Sequence, residues 1–252
     1  MSDVLVRDEG AVRVISFNRP DRHNALSDEL LASWRSVLAE TFRERSVRCI
    51  VLRGEGPSFC SGRDLEQLGA RDAGQSDFAF ILDEQREAFA LREAPQPVVV
   101  ALHGHVIGGA FELALHADVR IAAANAEMSL PEIKLGLVPD IGGVDALHHL
   151  VGPSRTKRLV MTGEVIDATT ALGWGAVDEV VEPADLDGRV LEIASRLASA
   201  PPQAVQRAKR MINAITDAAV QAGLRRQLRA QVDLFAGAEH REIRAGLHDQ
   251  SE

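Results

Sequence analysis

Short runs of β-branched residues recur along this chain, each followed by a stretch with helical spacing, and that alternation limits the possible folds more than any other feature. Val4 to Val6 and Val12 to Phe17 flank a Glu9-Gly10 turn and read as a hairpin. The chain breaks at Arg19-Pro20-Asp21. Ser27 then stands where an N-cap is expected, and Leu30, Leu31, Trp34 and Leu38 keep helical spacing until the chain turns extended over Val47 to Leu52. The pattern repeats with a Gly/Pro/Ser loop, a helix over Asp77 to Arg92 and a strand over Val98 to Leu102. A glycine turn, a helix to His116 and a strand over Val119 to Ala122 follow. Apolar strands joined by helical crossovers predict an α/β fold with parallel or mostly parallel sheets.

From Pro201 to Phe235 the strands disappear, and Val205, Ile212, Ile215, Leu224, Leu228 and Val232 fall on one side of a long helical stretch. Residues 1–190 therefore read as an α/β core and residues 191–252 as a helical C-terminal region. Its apolar side is expected to be buried partly between subunits.

Composition removes several function classes. A chain of 252 residues buries a core without staples, and 46% hydrophobic with 26% charged residues is ordinary for a packed protein. The net charge of -9 argues against nucleic acid or an anionic membrane as partner. No run approaches the ~20 apolar residues of a membrane span, and Met1 to Gly10 lacks the apolar segment of a secretory signal. Cys49 and Cys60 lack metal-ligand spacing and read as buried thiols, so a reducing, cytoplasmic location is expected and no metal site. The sequence has no tyrosine, which excludes any mechanism that needs a phenol.

Three segments carry candidate chemistry. In Val98 to Glu112 a strand passes through Gly104, Gly108 and Gly109 into a helix, where the first amides lack internal partners. Gly109 N–H can meet a developing oxyanion, with Glu112 one turn further on the same face. The bland alternative is that the glycines only permit close packing. The spacing Gly-x-x-x-Gly-Gly differs from a dinucleotide fingerprint. The loop Glu55 to Leu65 follows a neighbouring strand and offers a second amide at Ser61, whereas Gly-x-Ser-x-Gly, the mark of a serine nucleophile, is absent. Within Met128 to Gly143, Glu132 lies among turn and apolar residues, where burial would raise its pKa toward neutrality. A capping glutamate is the alternative there.

At these places the sequence resembles the enoyl-CoA hydratase/isomerase (crotonase) superfamily. Asn18-Arg19-Pro20 with Asn24-Ala25-Leu26, Phe59 to Leu65, Gly108 to Ala114, Pro131-Glu132 and Leu135-Gly136-Leu137 occur in family order and spacing. Val160 to Gly163, Ala168 and Gly175-Ala176-Val177 extend the match. The resemblance implies a crotonase-like spiral of ββα units with a C-terminal helical region, assembled as a homotrimer or dimer of trimers. It implies acyl-CoA thioester substrates and no separate cofactor, coenzyme A being part of the substrate. Gly109 and Ser61 fall at the family's two oxyanion amides, and Glu112 and Glu132 at the hydratases' paired carboxylates. Arg22, Arg63 and Asp64 are expected near coenzyme A, with adenine beside the Gly62 loop. Two residues depart from the hydratase pattern. Ser61 stands where alanine is commoner, and Asp140 stands where many hydratases carry glycine. Dienoyl-CoA isomerases place an aspartate eight residues after the second glutamate, as here. Hydration is therefore the leading expectation, double-bond isomerisation the second, and non-catalytic acyl-CoA binding a third of another class. A loop-stabilising role for Asp140 stays open.

Overall fold

A computed structural model describes residues 2–68 and 74–249, with side chains to 246. The N-terminal hairpin forms as expected, β1 (Val4–Glu9) pairing antiparallel with β2 (Val12–Phe17). Ser27 caps α1 (Asp28–Arg43) by accepting the Leu30 N–H, and α1 leads to β3 (Cys49–Gly54). Next come α2 (Asp77–Glu93), capped by Ser76, then β4 (Val98–Leu102). A three-residue strand that the glycine pattern concealed, β5 (His105–Ile107), precedes α3 (Gly109–Leu115). After β6 (Val119–Ala123) and β7 (Glu127–Ser129), α4 (Gly143–Val151) and α5 (Pro153–Thr162) lead to β8 (Val165–Asp167). The core closes with α6 (Ala168–Trp174) and β9 (Glu179–Val181). Four helices finish the chain: α7 (Leu186–Ser199), α8 (Pro202–Ala214), α9 (Asp217–Phe235) and α10 (Ala238–Asp249).

The larger sheet has the order β1-β2-β3-β4-β6-β9, with every pair after the first hairpin parallel. A smaller sheet, β5-β7-β8, supplies the second direction of each turn of chain. Both faces of the large sheet are covered, which is why its strands read as unbroken apolar runs. Ile15, Phe17, Ile50, Leu52, Val98, Val100 and Leu102 point to the side of α1 and α2. Val12, Val14, Val51, Val99 and Ile121 point to the other, where Leu186, Val190, Ala194 and Ala198 of α7 meet them at four-residue spacing. Burying a Leu or Val side chain there contributes roughly 1.5–3 kcal/mol each.

The expected continuous helix from Pro201 to Phe235 is two helices, broken at Ile215-Thr216. Its predicted apolar side is also divided. Leu224 and Leu228 on α9 are buried, whereas Ile212 and Ile215 are 60% and 81% exposed. What pins α8 to the core is polar. Lys209 Nζ, buried, donates to Asp118 at 2.7 Å and to the carbonyls of Leu91 and Gln96 at 3.1 Å each. Cys49 and Cys60 are both unpaired and buried, and burial pushes both thiols up to about 12. No helix among the described residues is long and apolar enough to cross a membrane.

Candidate active site

The chain ends of β3 and β4 bring the two predicted loops together. Cys60 N donates to His105 O at 2.9 Å and Ile107 N to Cys60 O at 3.1 Å, so the 60–64 segment runs beside β5 and the turn into α3. On its other side, Leu26 N donates to Gly62 O and Asp64 N to Leu26 O. Beyond them lies a cavity of about 350 Å³. Its wall is mostly apolar, with Phe17, Trp34, Phe80, Ile107 and Phe235 among the larger groups. Ser61, Gly62, Arg63, Gly109, Glu112, Glu132 and Asp140 line it too, so most of the predicted site residues converge.

Glu112 is 1% exposed and held by backbone. Its carboxylate accepts from Gly143 N at 2.8 Å, Ile141 N at 3.2 Å and Asp140 N at 3.3 Å. A Cβ on Gly143 would lie 2.3 Å from Glu112 Cγ, so only glycine lets the loop close on the carboxylate. Burial pushes the Glu112 carboxyl well up, with Glu132 and Asp140 as like-charged neighbours, while the Gly143 and Asp140 amides pull it part of the way back.

Glu132 opens a 3-10 turn over Glu132–Leu135 that Gly136 closes in the left-handed conformation. It is therefore neither a helix cap nor an exposed loop residue. One carboxylate oxygen lies 2.9 Å from where a Cβ on Gly108 would stand, and the other, Oε2, is buried without a hydrogen-bond partner among the described residues. Burial lifts this carboxyl to about 7. Asp140 completes the trio. Its burial, beside Glu84 and Glu132, pushes its carboxyl well above the usual aspartate value.

The amide expectation needs correction at Ser61. Ser61 N donates to His23 O at 2.9 Å and is not available to a ligand. His23 and Asn24 both have positive φ, and that local turn carries the His23 carbonyl up to the loop. The unused donors are two residues on and across the gap. Neither Arg63 N nor Gly109 N has an acceptor among the described residues.

The expected coenzyme contacts also differ. The Arg63 guanidinium is taken up by Leu26 O at 2.9 Å and by Asp28, with Glu84 at 3.8 Å, so it braces the loop instead of reaching outward. Asp64 is 5% exposed and paired with Arg19 at 3.1 Å and Arg22 at 3.8 Å. Arg22 stays half exposed, with Glu66 at 2.6 Å. Phe80, Glu84, Glu87 and Ala88 of α2 line the cavity as well.

Sequence reasoning missed three supports. His116 is buried on α3, and burial lowers its pKa to about 4, so the neutral ring donates Nε2–H to Ile141 O at 2.8 Å. Gln227 and Gln231 reach the same 138–143 loop from α9. Their signal, two glutamines four apart on an otherwise apolar helix face, is visible only once that face is known to be covered.

Comparison with known proteins gives the chain its relatives. The family model for enoyl-CoA hydratase/isomerase matches residues 7–252. The chain is 34% identical to a short-chain-enoyl-CoA hydratase of Clostridium acetobutylicum, over 84% of this chain and 82% of that protein. It is 32% identical to a 1,2-epoxyphenylacetyl-CoA isomerase of Escherichia coli, over 84% and 82%. The fold superposes on a crystal structure of an enoyl-CoA hydratase/isomerase from Pseudoalteromonas atlantica with a TM-score of 0.89 at 30% identity, covering 98% of this chain and 97% of that one. Both the family's lyases and its isomerases are thus near relatives in sequence, and the chain belongs to the enoyl-CoA hydratase/isomerase family of the crotonase superfamily.

Proposed function

We propose that the protein is an enoyl-CoA hydratase, adding water across the double bond of a 2-enoyl-CoA thioester. The observation that carries this reading is Glu132, whose buried, unpartnered oxygen opens onto an apolar cavity shared with Glu112. An unsatisfied buried carboxylate oxygen is costly unless a ligand or water completes it.

In this mechanism the thioester oxygen accepts hydrogen bonds from Gly109 N–H and Arg63 N–H, which stabilise the negative charge gathering there in the enolate-like transition state. A water lies between Glu112 and Glu132. One carboxylate takes its proton as oxygen attacks the β-carbon, and the other delivers a proton to the α-carbon. Glu132 at about 7 exchanges protons with little driving-force penalty near neutral pH. The carboxylates titrate as a coupled set.

Coenzyme A enters as part of the substrate, with Arg22 and the exposed Lys134 at the cavity side as the cations for its phosphates. The exposed apolar residues Met211 and Ile212 of α8, with Ile215 just past its end, support a homotrimer or dimer of trimers, in which a neighbouring subunit covers them. The unpaired buried thiols suit a cytoplasmic location.

A second reading, an enoyl- or dienoyl-CoA isomerase, is favoured by Asp140, a third carboxyl group in the same cavity. A non-catalytic acyl-CoA carrier would need no such acids, and their burial would only cost it stability. A panel of 2-enoyl- and dienoyl-CoA thioesters, assayed for both hydration and isomerisation, tests these readings. Hydration of simple 2-enoyl thioesters is expected. Binding without turnover on every member would overturn both enzyme readings.

A further inference from the structure

Apart from the three acids already described, the cavity wall carries a carboxyl group with an unused oxygen. Glu87 of α2 lines the cavity, and its Oε2 is buried with no hydrogen-bond partner among the described residues. The other oxygen, Oε1, accepts from Arg35 Nη1 of α1. The Arg35 side chain is 52% exposed and that of Glu87 only 12%, so the pair runs inward from the surface. Oε2 is its buried end.

Helix geometry tells on which side that atom lies. Successive residues of an α-helix turn by about 100°, so Gln85 and Glu87 leave α2 on opposite flanks. Gln85 faces the 138–143 loop and donates to Asp140 O at 2.6 Å, whereas Glu87 faces α1. Leu31 and Trp34 of α1 line the cavity too, and Phe17 meets Trp34 edge-on at a ring distance of 5.5 Å. An acyl chain that reaches from Glu112 and Glu132 toward α1 therefore meets an apolar wall with one unmet oxygen in it.

The charges nearby select the group that can answer this oxygen. Arg35 already balances Glu87, and Arg63 stands 3.8 Å from Glu84. A cationic tail would bring a charge with no partner left for it. A carboxylate tail would share one cavity with Glu84, Glu87, Glu112, Glu132 and Asp140. A hydrocarbon tail would seal Oε2 away from water with nothing to meet it, which is costly. Burial pushes the Glu87 carboxyl upward against the pull of Arg35. A hydroxyl group both donates and accepts, so it pairs with Oε2 in either protonation state.

We propose that Glu87 is a specificity residue for the acyl group: its Oε2 hydrogen-bonds a hydroxyl group toward the far end of the chain, so the preferred substrates are hydroxylated 2-enoyl-CoA thioesters. The proposal rests on the hydratase reading above and narrows its substrate class. No proton of the hydration itself passes through Glu87.

The test is a series of straight-chain 2-enoyl-CoA thioesters of increasing length, each made with a methyl, hydroxymethyl, carboxylate or trimethylammonium end. At the length that brings the hydroxyl to Glu87, the wild type should hydrate the hydroxylated member with kcat/KM at least ~30-fold above its methyl counterpart. In Glu87→Leu that ratio should fall to about one or below, because the wall no longer holds a polar atom. Glu87→Gln keeps its oxygen toward Arg35 and turns its NH2 to the cavity, where it donates to the hydroxyl, so a ratio above ~5 should remain. A ratio near one at every length in the wild type, or the wild-type ratio kept in Glu87→Leu, would overturn the proposal. So would a preference for the carboxylate or trimethylammonium end. If Glu87→Leu does not fold, Glu87→Met takes its place with the same expectation. A wild type that hydrates no thioester removes the hydratase reading alone. Calorimetric Kd values for the saturated hydroxylated and plain acyl-CoA thioesters then decide the subsite, the hydroxylated one binding at least ~10-fold tighter to the wild type and no tighter to Glu87→Leu.

Discussion

The two sides of the large sheet are built by opposite rules. Under α7 the buried contact is apolar, with Leu186, Val190, Ala194 and Ala198 against strand residues such as Val12, Val51 and Val99, and ion pairs such as Arg53–Asp187 and Arg189–Glu179 stand only at its edge. On the other side, Glu112, Glu132, Asp140 and Gln231 line one cavity, while His116 of α3 and Gln227 of α9 hold the 138–143 loop behind it. The first region stabilises the fold by burial that needs no partner. The second holds acids where they are costly and offsets that cost with amides chosen one at a time, leaving one oxygen of Glu132 unmet. Function lies where the offset is incomplete.

The sharpest way to break the comparison is to put a charge under α7. Val190 is 1% exposed, and Val190→Asp would bury a carboxylate with no donor prepared for it. The expected loss is about 4 kcal/mol or more of unfolding free energy by urea titration. A loss under 1 kcal/mol would mean that α7 moves aside and that the two sides are not so different.

Replacing the acids probes the other side. Glu112→Gln and Glu132→Gln should each lower hydration by at least ~100-fold, about 2.7 kcal/mol in barrier. They should differ in stability. Glutamine offers one acceptor where Glu112 serves three N–H groups, so its NH2 must face a backbone donor and destabilise the loop. Glu132 serves no such set. Wild-type rates of hydration in both variants would remove the two-carboxylate mechanism.

A smaller and more selective effect is expected at Asp140. Asp140→Asn should leave hydration within about tenfold while suppressing isomerisation by ~100-fold or more. The Asp140 amide still holds Glu112, because that bond comes from backbone. An equal loss of both reactions would make Asp140 a support of its loop.

Much of this architecture was legible in the sequence because its causes are local. The Ser27 cap, the Glu9-Gly10 hairpin and the bounds of β4 depend on neighbours a few residues away. Gly109, Glu112, Glu132 and Asp140 were found as candidates because glycines and acids stand out against apolar surroundings. The failures are all matters of long-range bonding. Ser61 loses its amide to a carbonyl 38 positions earlier, and that bond depends on the left-handed turn at His23-Asn24. Arg63 and Asp64 look like ligand groups until Asp28, Glu84 and Arg19 arrive beside them. The anchor of α8 is hidden for the same reason, because Lys209 stands on the Val205–Ile212 side of the helix and its partners, Asp118 and the carbonyls of Leu91 and Gln96, lie 91 or more positions away.

Glu132→Gln gives the finest test of the comparison, because the same substitution that should abolish turnover should also stabilise the fold. In the unfolded chain the Glu132 carboxyl titrates near its ordinary value of 4.5, and in the folded chain near 7. Folding therefore favours the protonated form. The stability contributed by this group is whole below pH 4.5 and is lost as pH rises through 7, where the folded protein must hold a buried carboxylate that unfolding would hydrate. Glutamine has no proton to lose and escapes that penalty. At pH 8 the variant should be more stable than the wild type by about 1–2 kcal/mol, a figure reduced from the full shift because the side chain keeps some solvent contact. The gap should close as pH falls toward 4.5. A thermal melting series from pH 4.5 to 8 reads it directly. A gap that does not change with pH would show that Glu132 meets solvent as an ordinary carboxylate, and the contrast between the two sides of the sheet would then fail at the residue on which the catalytic reading depends.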